Sequence, residues 1–214
     1  YVVVGMPERR EGTFYNSVAV IGPEGVIGSY AKIHPFTPEM KWASKGEEPF
    51  LFDTPWGPVG VGICYDTYWF PELARYYAAR GALIYLNPTA LMKFPEWEKF
   101  YFTQLKARSV EDMFFVVSAN LVGPDNKELP FEFPGGSVII GPKEVPPYVP
   151  SKILAGPGGS EEELIIGTLD LTIEKKNRER HPLWTKNPVS GLPDWRLEIY
   201  KKLLESLYWE QEEK

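Results

Sequence analysis

The sequence predicts a layered α/β fold, a mixed sheet flanked by helices. Three observations carry this reading. Short apolar runs stop at glycine- and proline-rich turns, two longer segments show helical apolar spacing, and the two kinds alternate along most of the chain.

Taken in order, Tyr1-Val2-Val3-Val4-Gly5 reads as a buried strand from its first residue, as if the chain began inside a sheet. Residues 14–21 and 26–31 flank Gly22-Pro23-Glu24-Gly25, which has hairpin turn chemistry. Residues 49–54 and 59–64 repeat the pattern around Pro55-Trp56-Gly57-Pro58. A helix is predicted over 71–80, with Pro71 at its start and Gly81 after its end. A short strand at 83–87 follows, then a helix over 96–112 with Phe100, Leu105 and Val110 turned inward. Strands are expected at 114–119, 136–140 and 164–170, and a loop at 145–160, where prolines and glycines accumulate. The main domain is placed at 1–192. The tail at 193–214 is read as an amphipathic helix, with Trp195, Ile199, Leu203, Leu204 and Leu207 on one side.

Composition limits the function classes. With 214 residues, 43% hydrophobic and 24% charged, the chain reads as one soluble globular domain. A net charge of −6 with interleaved signs argues against a nucleic-acid surface. No apolar run approaches the ~20 residues that cross a bilayer. One cysteine excludes an internal disulfide and fits a cytoplasmic protein. No His/Cys cluster has metal spacing and no glycine-rich phosphate loop is present, so neither metal nor cofactor is expected.

That cysteine, Cys64, ends the run Val59-Gly60-Val61-Gly62-Ile63 and precedes Tyr65-Asp66. A lone thiol in an apolar stretch is usually an inert core residue. Here the helix expected from Pro71 places it between a strand's end and a helix's start, where free N–H groups and the helix dipole favour thiolate. Lys32 ends the first hairpin, so both residues are expected at strand ends meeting at one sheet edge. Alone, Lys32 reads as a solvated cation and Glu39 as a loop carboxylate or helix cap. His34 offers a base for a Cys–His thiol hydrolase, while His181 has no thiol near it in sequence.

Taken together these pieces fall in an ordered string. It comprises residues 12–16, Tyr30-Ala31-Lys32-Ile33-His34, Glu39, Lys45-Gly46, residues 57–66, Phe70-Pro71-Glu72-Leu73-Ala74-Arg75 and Gly81-Ala82. It continues through Asn87-Pro88-Thr89-Ala90, Ala107-Arg108-Ser109-Val110-Glu111, residues 118–123 and Gly135-Gly136-Ser137. From Tyr1 to about Asn177 the chain resembles the nitrilase superfamily of carbon–nitrogen hydrolases. The resemblance implies a four-layer αββα sandwich and a Glu-Lys-Cys triad. Cys64 matches the nucleophile, Lys32 the lysine, and Glu39 a second glutamate that positions substrate. It implies a small amide or nitrile as substrate and a homo-oligomer packed across helices such as the one beginning at Pro71.

Two departures accompany it. The family's general-base glutamate lies in a strand–helix segment ahead of the position of Tyr1, and no residue here matches it; Glu8 and Glu11 fall in the loop after the first strand. Between Cys64 and Phe70-Pro71-Glu72 there is one more residue than most members show, Tyr68 or Trp69. This extra residue lies beside the acyl pocket, where Tyr65, Trp69 and Thr89 are expected to meet substrate. The sequence reading is an amidase-like hydrolase. Its alternatives are a truncated fragment or pseudoenzyme that binds partners through its tail, and a nitrilase or carbamoylase.

Overall fold

A computed structural model describes residues 1–125, 131–142 and 150–212, with side chains to residue 206. Two sheets contribute to one core. The first has three antiparallel strands in the order β1 (Val2–Arg10), β2 (Thr13–Gly22), β3 (Gly25–Ala31). Glu11 and Gly12, both at positive φ, close the first hairpin with Arg10 opposite Thr13. The first strand therefore runs past Gly5 to Arg10. Glu8 lies within it, held by Arg10 and Ser29, and only Glu11 is in the turn. The second hairpin turns at Pro23-Glu24, with Gly22 opposite Gly25 as the turn chemistry predicts.

The second sheet has the order β11-β10-β7-β6-β5-β4. Its strands are β4 (Leu51–Thr54), β5 (Gly57–Val61), β6 (Ile84–Thr89), β7 (Phe115–Asn120), β10 (Val138–Gly141) and β11 (Lys152–Ala155). The central strands β5, β6 and β7 are parallel, which requires crossover connections. Helices α1 (Tyr65–Trp69) and α2 (Pro71–Ala79) join β5 to β6, and α3 (Trp97–Asp112) joins β6 to β7. A small ribbon pairs β8 (Val122–Pro124) with β9 (Glu132–Pro134). Val18, Val20 and Tyr30 from the first sheet share one buried cluster with Phe52 and Val61 from the second, Ile63 just after β5, and Leu73, Tyr77, Tyr101 and Leu105 from the helices. This is the layered α/β architecture that the strand–helix alternation predicts.

Four expectations are corrected. The inward face of α3 is Tyr101, Leu105, Arg108, Ser109 and Asp112, while Val110 is exposed. Apolar spacing misplaced the face because its polar members have partners. Arg108 Nε donates to the Thr67 carbonyl and Ser109 Oγ to the Phe114 carbonyl. Residues 164–170 pair with no strand, and Leu164 and Ile166 are exposed. The sheet edge beside β10 is occupied by β11, which forms where a loop was expected; residues 143–149 of that loop lie outside the described residues. Lys32 and Cys64 follow strands of different sheets, so they do not lie along one sheet edge.

The tail forms α5 (Leu197–Glu212), where Ile199, Leu203 and Leu204 are exposed; the side chain of Leu207 lies outside the described residues. Before it, α4 (Leu171–Arg178) starts at Asp170, whose side chain accepts from the Thr172 N–H at 3.0 Å. Arg178 reaches the carbonyls of Ala82 and Met113, and its guanidinium lies 4.6 Å from the Trp184 ring centroid. Glu174 is fully buried with neither carboxyl oxygen hydrogen-bonded among the described residues, and burial raises its pKa to about 8. Asp112 is fully buried too. Burial lifts its pKa to about 7, outweighing the opposing charge of Arg75, whose Nε approaches to 2.9 Å.

Candidate active site

Cys64 stands at an elbow between β5 and α1, with φ 50° and ψ −103°. A non-glycine residue holds such a conformation only when its surroundings over-determine it. Its N–H is shared between the Pro88 carbonyl at 3.1 Å and Asn87 Oδ1 at 3.0 Å, at the end of the neighbouring strand. Asn87 is itself held, accepting from Thr67 Oγ1 at 2.8 Å and donating to Ser118 Oγ at 2.8 Å. Just before the elbow, a Cβ on Gly62 would lie 1.9 Å from the Tyr85 hydroxyl, so only glycine lets the strand pass.

Asp66 adds the second restraint. It is fully buried, and its Oδ2 accepts from Tyr30 OH at 2.8 Å and the Ile63 N–H at 3.0 Å. Its Oδ1 accepts from the His34 N–H at 3.0 Å and lies 2.9 Å from His34 Nδ1. One carboxylate thus binds the segment that carries Lys32 to the turn that carries Cys64. His34 also stacks on Phe70 with ring centroids 3.5 Å apart. It is absent from the cleft lining, so the Cys–His reading gains no support from this geometry.

Lys32 is 1% exposed. Its Nζ donates to both oxygens of Glu39, at 3.0 and 2.8 Å. Glu39 opens a single 3-10 turn (Glu39–Lys41) and also accepts from Asn16 Nδ2 at 3.0 Å and the Phe36 N–H at 2.8 Å. With four hydrogen bonds from three donor groups on it, this carboxylate is committed to holding the lysine in place.

Cys64 and Glu39 line one cleft of about 920 Å³ between the two sheets, together with Asn16, Tyr65, Tyr68, Trp69, Thr89 and Phe100. Of the six residues expected at the site, Lys32 alone is not on the cleft wall; it lies behind Glu39. Tyr65, Trp69 and Thr89 are on the wall, and Thr89 Oγ1 lies 2.8 Å from Tyr68 OH. Burial and the neighbouring Cys64 push the Tyr68 pKa well above the usual phenol value, so its hydroxyl stays protonated. Sequence reasoning assigned no role to Asn16, Asp66 or Asn87, although each falls inside the motif string that carried the resemblance. That Asn87 holds the Cys64 N–H and Asn16 holds Glu39 is a property of the fold. Among the described residues no group of three or more His, Cys, Asp or Glu side chains is placed to hold a metal ion.

Cys64, on a strand-to-helix elbow, thus lines the same cleft as Glu39, the carboxylate that holds the buried Lys32. The carbon–nitrogen hydrolase family profile matches residues 1–176, and the chain belongs to that family. It is 34% identical over 211 residues to a probable nitrilase of Schizosaccharomyces pombe, covering 95% of this chain and 69% of the relative. A nitrilase of Pyrococcus abyssi is 33% identical over 179 residues (83% and 62%), and an omega-amidase of Homo sapiens 32% over 198 residues (86% and 66%). The chain therefore spans about two thirds of the length of these relatives. Among solved structures, Saccharomyces cerevisiae Nit3, a member of branch 10 of the nitrilase superfamily, matches with TM-score 0.72 and 28% identity over 85% of this chain and 63% of that one. A mutant of the Nesterenkonia sp. AN1 amidase, with the acetamide moiety of fluoroacetamide added covalently at its active site cysteine, matches with TM-score 0.71 and 26% identity over 94% and 66%. The fold is thus that of the nitrilase-superfamily sandwich.

No described helix is long and apolar enough to cross a membrane.

Proposed function

We propose that this protein hydrolyses the carbon–nitrogen bond of a small amide through an acyl-enzyme on Cys64. The observation that carries the reading is the cysteine held at positive φ in the same cleft as the carboxylate that fixes a buried lysine. The Cys64 thiolate attacks the amide carbonyl carbon, and the C=O π pair moves onto oxygen. The resulting oxyanion is met by the Tyr65 N–H, the first of α1 and so without an intrahelical acceptor, while the Lys32 ammonium, held on Glu39 behind the cleft wall, adds its positive charge from there. The intermediate collapses with breakage of the C–N bond, and the nitrogen leaves as ammonia or an amine after taking a proton. Water then cleaves the thioester to give the acid and return the thiol.

Glu39 holds Lys32 and is the only carboxylate lining the cleft among the described residues, so the proton acceptor for Cys64 is not assigned among them. The amidase reading, over nitrilase or carbamoylase, draws support from the omega-amidase and amidase relatives. The exposed Ile199, Leu203 and Leu204 of α5 support the expected self-association. The test is ammonia release from a panel of amides and nitriles by the full-length protein and its Cys64→Ala variant. Release lost by at least ~10³-fold in the variant is expected. Equal release from both would overturn the reading, and activity that needs His34 but not Lys32 would replace it with the Cys–His mechanism.

A further inference from the structure

The cleft lining combines a few polar groups, among them Asn16 hydrogen-bonded to Glu39, with a contiguous aromatic wall of Tyr68, Trp69, Phe94 and Phe100. Three aromatic rings converge on Phe100, with centroid distances of 5.6 Å from Tyr68, 5.7 Å from Trp69 and 5.8 Å from Phe94. Trp69 is nevertheless 57% exposed and Phe94 36%. An aromatic wall left half open is a surface that gains free energy when a ligand's apolar group covers it.

The charges point the same way. Among the described residues Glu39 is the only charged side chain on the cleft wall, and its carboxylate is already matched by Lys32. Lys93, between Met92 and Phe94 in sequence, is paired with Glu132 at 3.0 Å and is absent from the lining. A carboxylate at the far end of an acyl chain would therefore be desolvated against aromatic rings with no cation to receive it, and burying an unpaired charge is strongly unfavourable.

Building on the amide-hydrolase reading above, we infer that the substrate is an uncharged amide with an extended apolar acyl group seated on the Tyr68–Trp69–Phe94–Phe100 wall, and that amides ending in a carboxylate are excluded.

The experiment measures kcat/KM of the full-length protein for a homologous series of straight-chain primary amides and for their ω-carboxylated counterparts of equal length. In parallel, the Kd of each compound is measured with Cys64→Ala, so that ligand preference is read even without turnover. For uncharged amides kcat/KM should rise about three- to fourfold per added methylene until the wall is covered. The ω-carboxyl group should lower it on the order of 100-fold. Phe94→Arg, which sets a cation on the wall, should raise kcat/KM for the ω-carboxylated series by roughly tenfold or more. A flat response to chain length, or a preference of the wild type for the carboxylated series, would overturn the inference while leaving Cys64-dependent hydrolysis intact. Absent turnover with Kd values that follow the chain-length and charge pattern would remove the hydrolase reading and leave the ligand class standing. No binding by either series overturns both.

Discussion

The Tyr30 hydroxyl donates to Asp66 Oδ2 at 2.8 Å, a bond between the last turn-side residues of one sheet and the first helical turn after the other. Tyr30 lies two residues before Lys32 and Asp66 two after Cys64, so this bond and the His34 contacts of Asp66 tie together the segments that carry the lysine and the cysteine of the proposed mechanism. Asp66→Asn puts an amide NH₂ among groups that are all placed to donate, apart from one tautomer of His34. It should lower kcat about 100-fold while thiol titration still finds Cys64 accessible. Tyr30→Phe, which removes one bond of four, should cost roughly tenfold in kcat. Unchanged kcat in Asp66→Asn would remove its positioning role.

The Lys32–Glu39 pair predicts a pattern that neither single variant shows. Glu39→Gln leaves a buried ammonium without its counter-charge and should destabilise the protein by about 1–3 kcal/mol, discounted because Glu39 keeps 23% side-chain exposure. Combining it with Lys32→Met should recover most of that loss, since removing both charges of a buried pair is often neutral. Activity should fall by at least ~100-fold in all three proteins. Denaturant melts alongside ammonia release measure both; a double variant less stable than Glu39→Gln would contradict the account.

Local strain at the elbow can be read through stability alone. Cys64→Gly should be more stable than Cys64→Ala by about 1 kcal/mol, despite the greater chain entropy of glycine, because it relieves the positive φ. Gly62→Ala should destabilise by about 1–3 kcal/mol, since its methyl would collide with the Tyr85 hydroxyl. Adding Tyr85→Phe should restore only part of this, because the next ring atom lies 2.8 Å from the new methyl. Equal melting of the two Cys64 variants would show that the elbow stores no strain.

Far from the cleft, Glu174 and Asp112 carry pKa values raised by burial, from 4.5 to about 8 and from 3.8 to about 7. Raised carboxyl pKa values mean that the folded state holds protons more tightly than the unfolded state. Their stabilising contribution is therefore complete below the ordinary values and is lost as pH rises through about 7 and 8. Tm should fall between about pH 5 and pH 9. Glu174→Gln, which cannot ionise, should flatten that fall and raise Tm at the alkaline end by roughly 2–6 °C. The same slope in variant and wild type would mean that Glu174 does not ionise in this range.

The elements with strong local signals were legible in the sequence. The Pro23-Glu24 turn and the Pro71 start of α2 rest on backbone rules that act within a few residues, whereas β5 ends at Val61, three residues short of the expected end at Cys64. Lys32, Glu39 and Cys64 were legible only through the family string, because nothing local distinguishes a buried lysine from a solvated one. The five-residue helix at Tyr65–Trp69 escaped notice, being too short for apolar periodicity and held by Asp66 and Thr67. The unpaired state of residues 164–170 had the same origin as the missed β11. Both segments have strand-like composition, and which of them takes the sheet edge is a tertiary outcome. The inward face of α3 was misread where Arg108 and Asp112 are buried with charged neighbours, a case in which hydropathy points the wrong way.

The half-open wall has an optical consequence. Trp69 and Trp42 both line the cleft and are 57% and 46% exposed, so their indoles emit from largely wet surroundings when the cleft is empty. A ligand that displaces that water shifts their fluorescence to shorter wavelength, and the shift disappears selectively with Trp69→Phe if the occupant rests where Trp69 and Phe100 meet. The protein thereby carries its own dye for occupancy, one that responds to any compound that enters, whether or not a bond is broken.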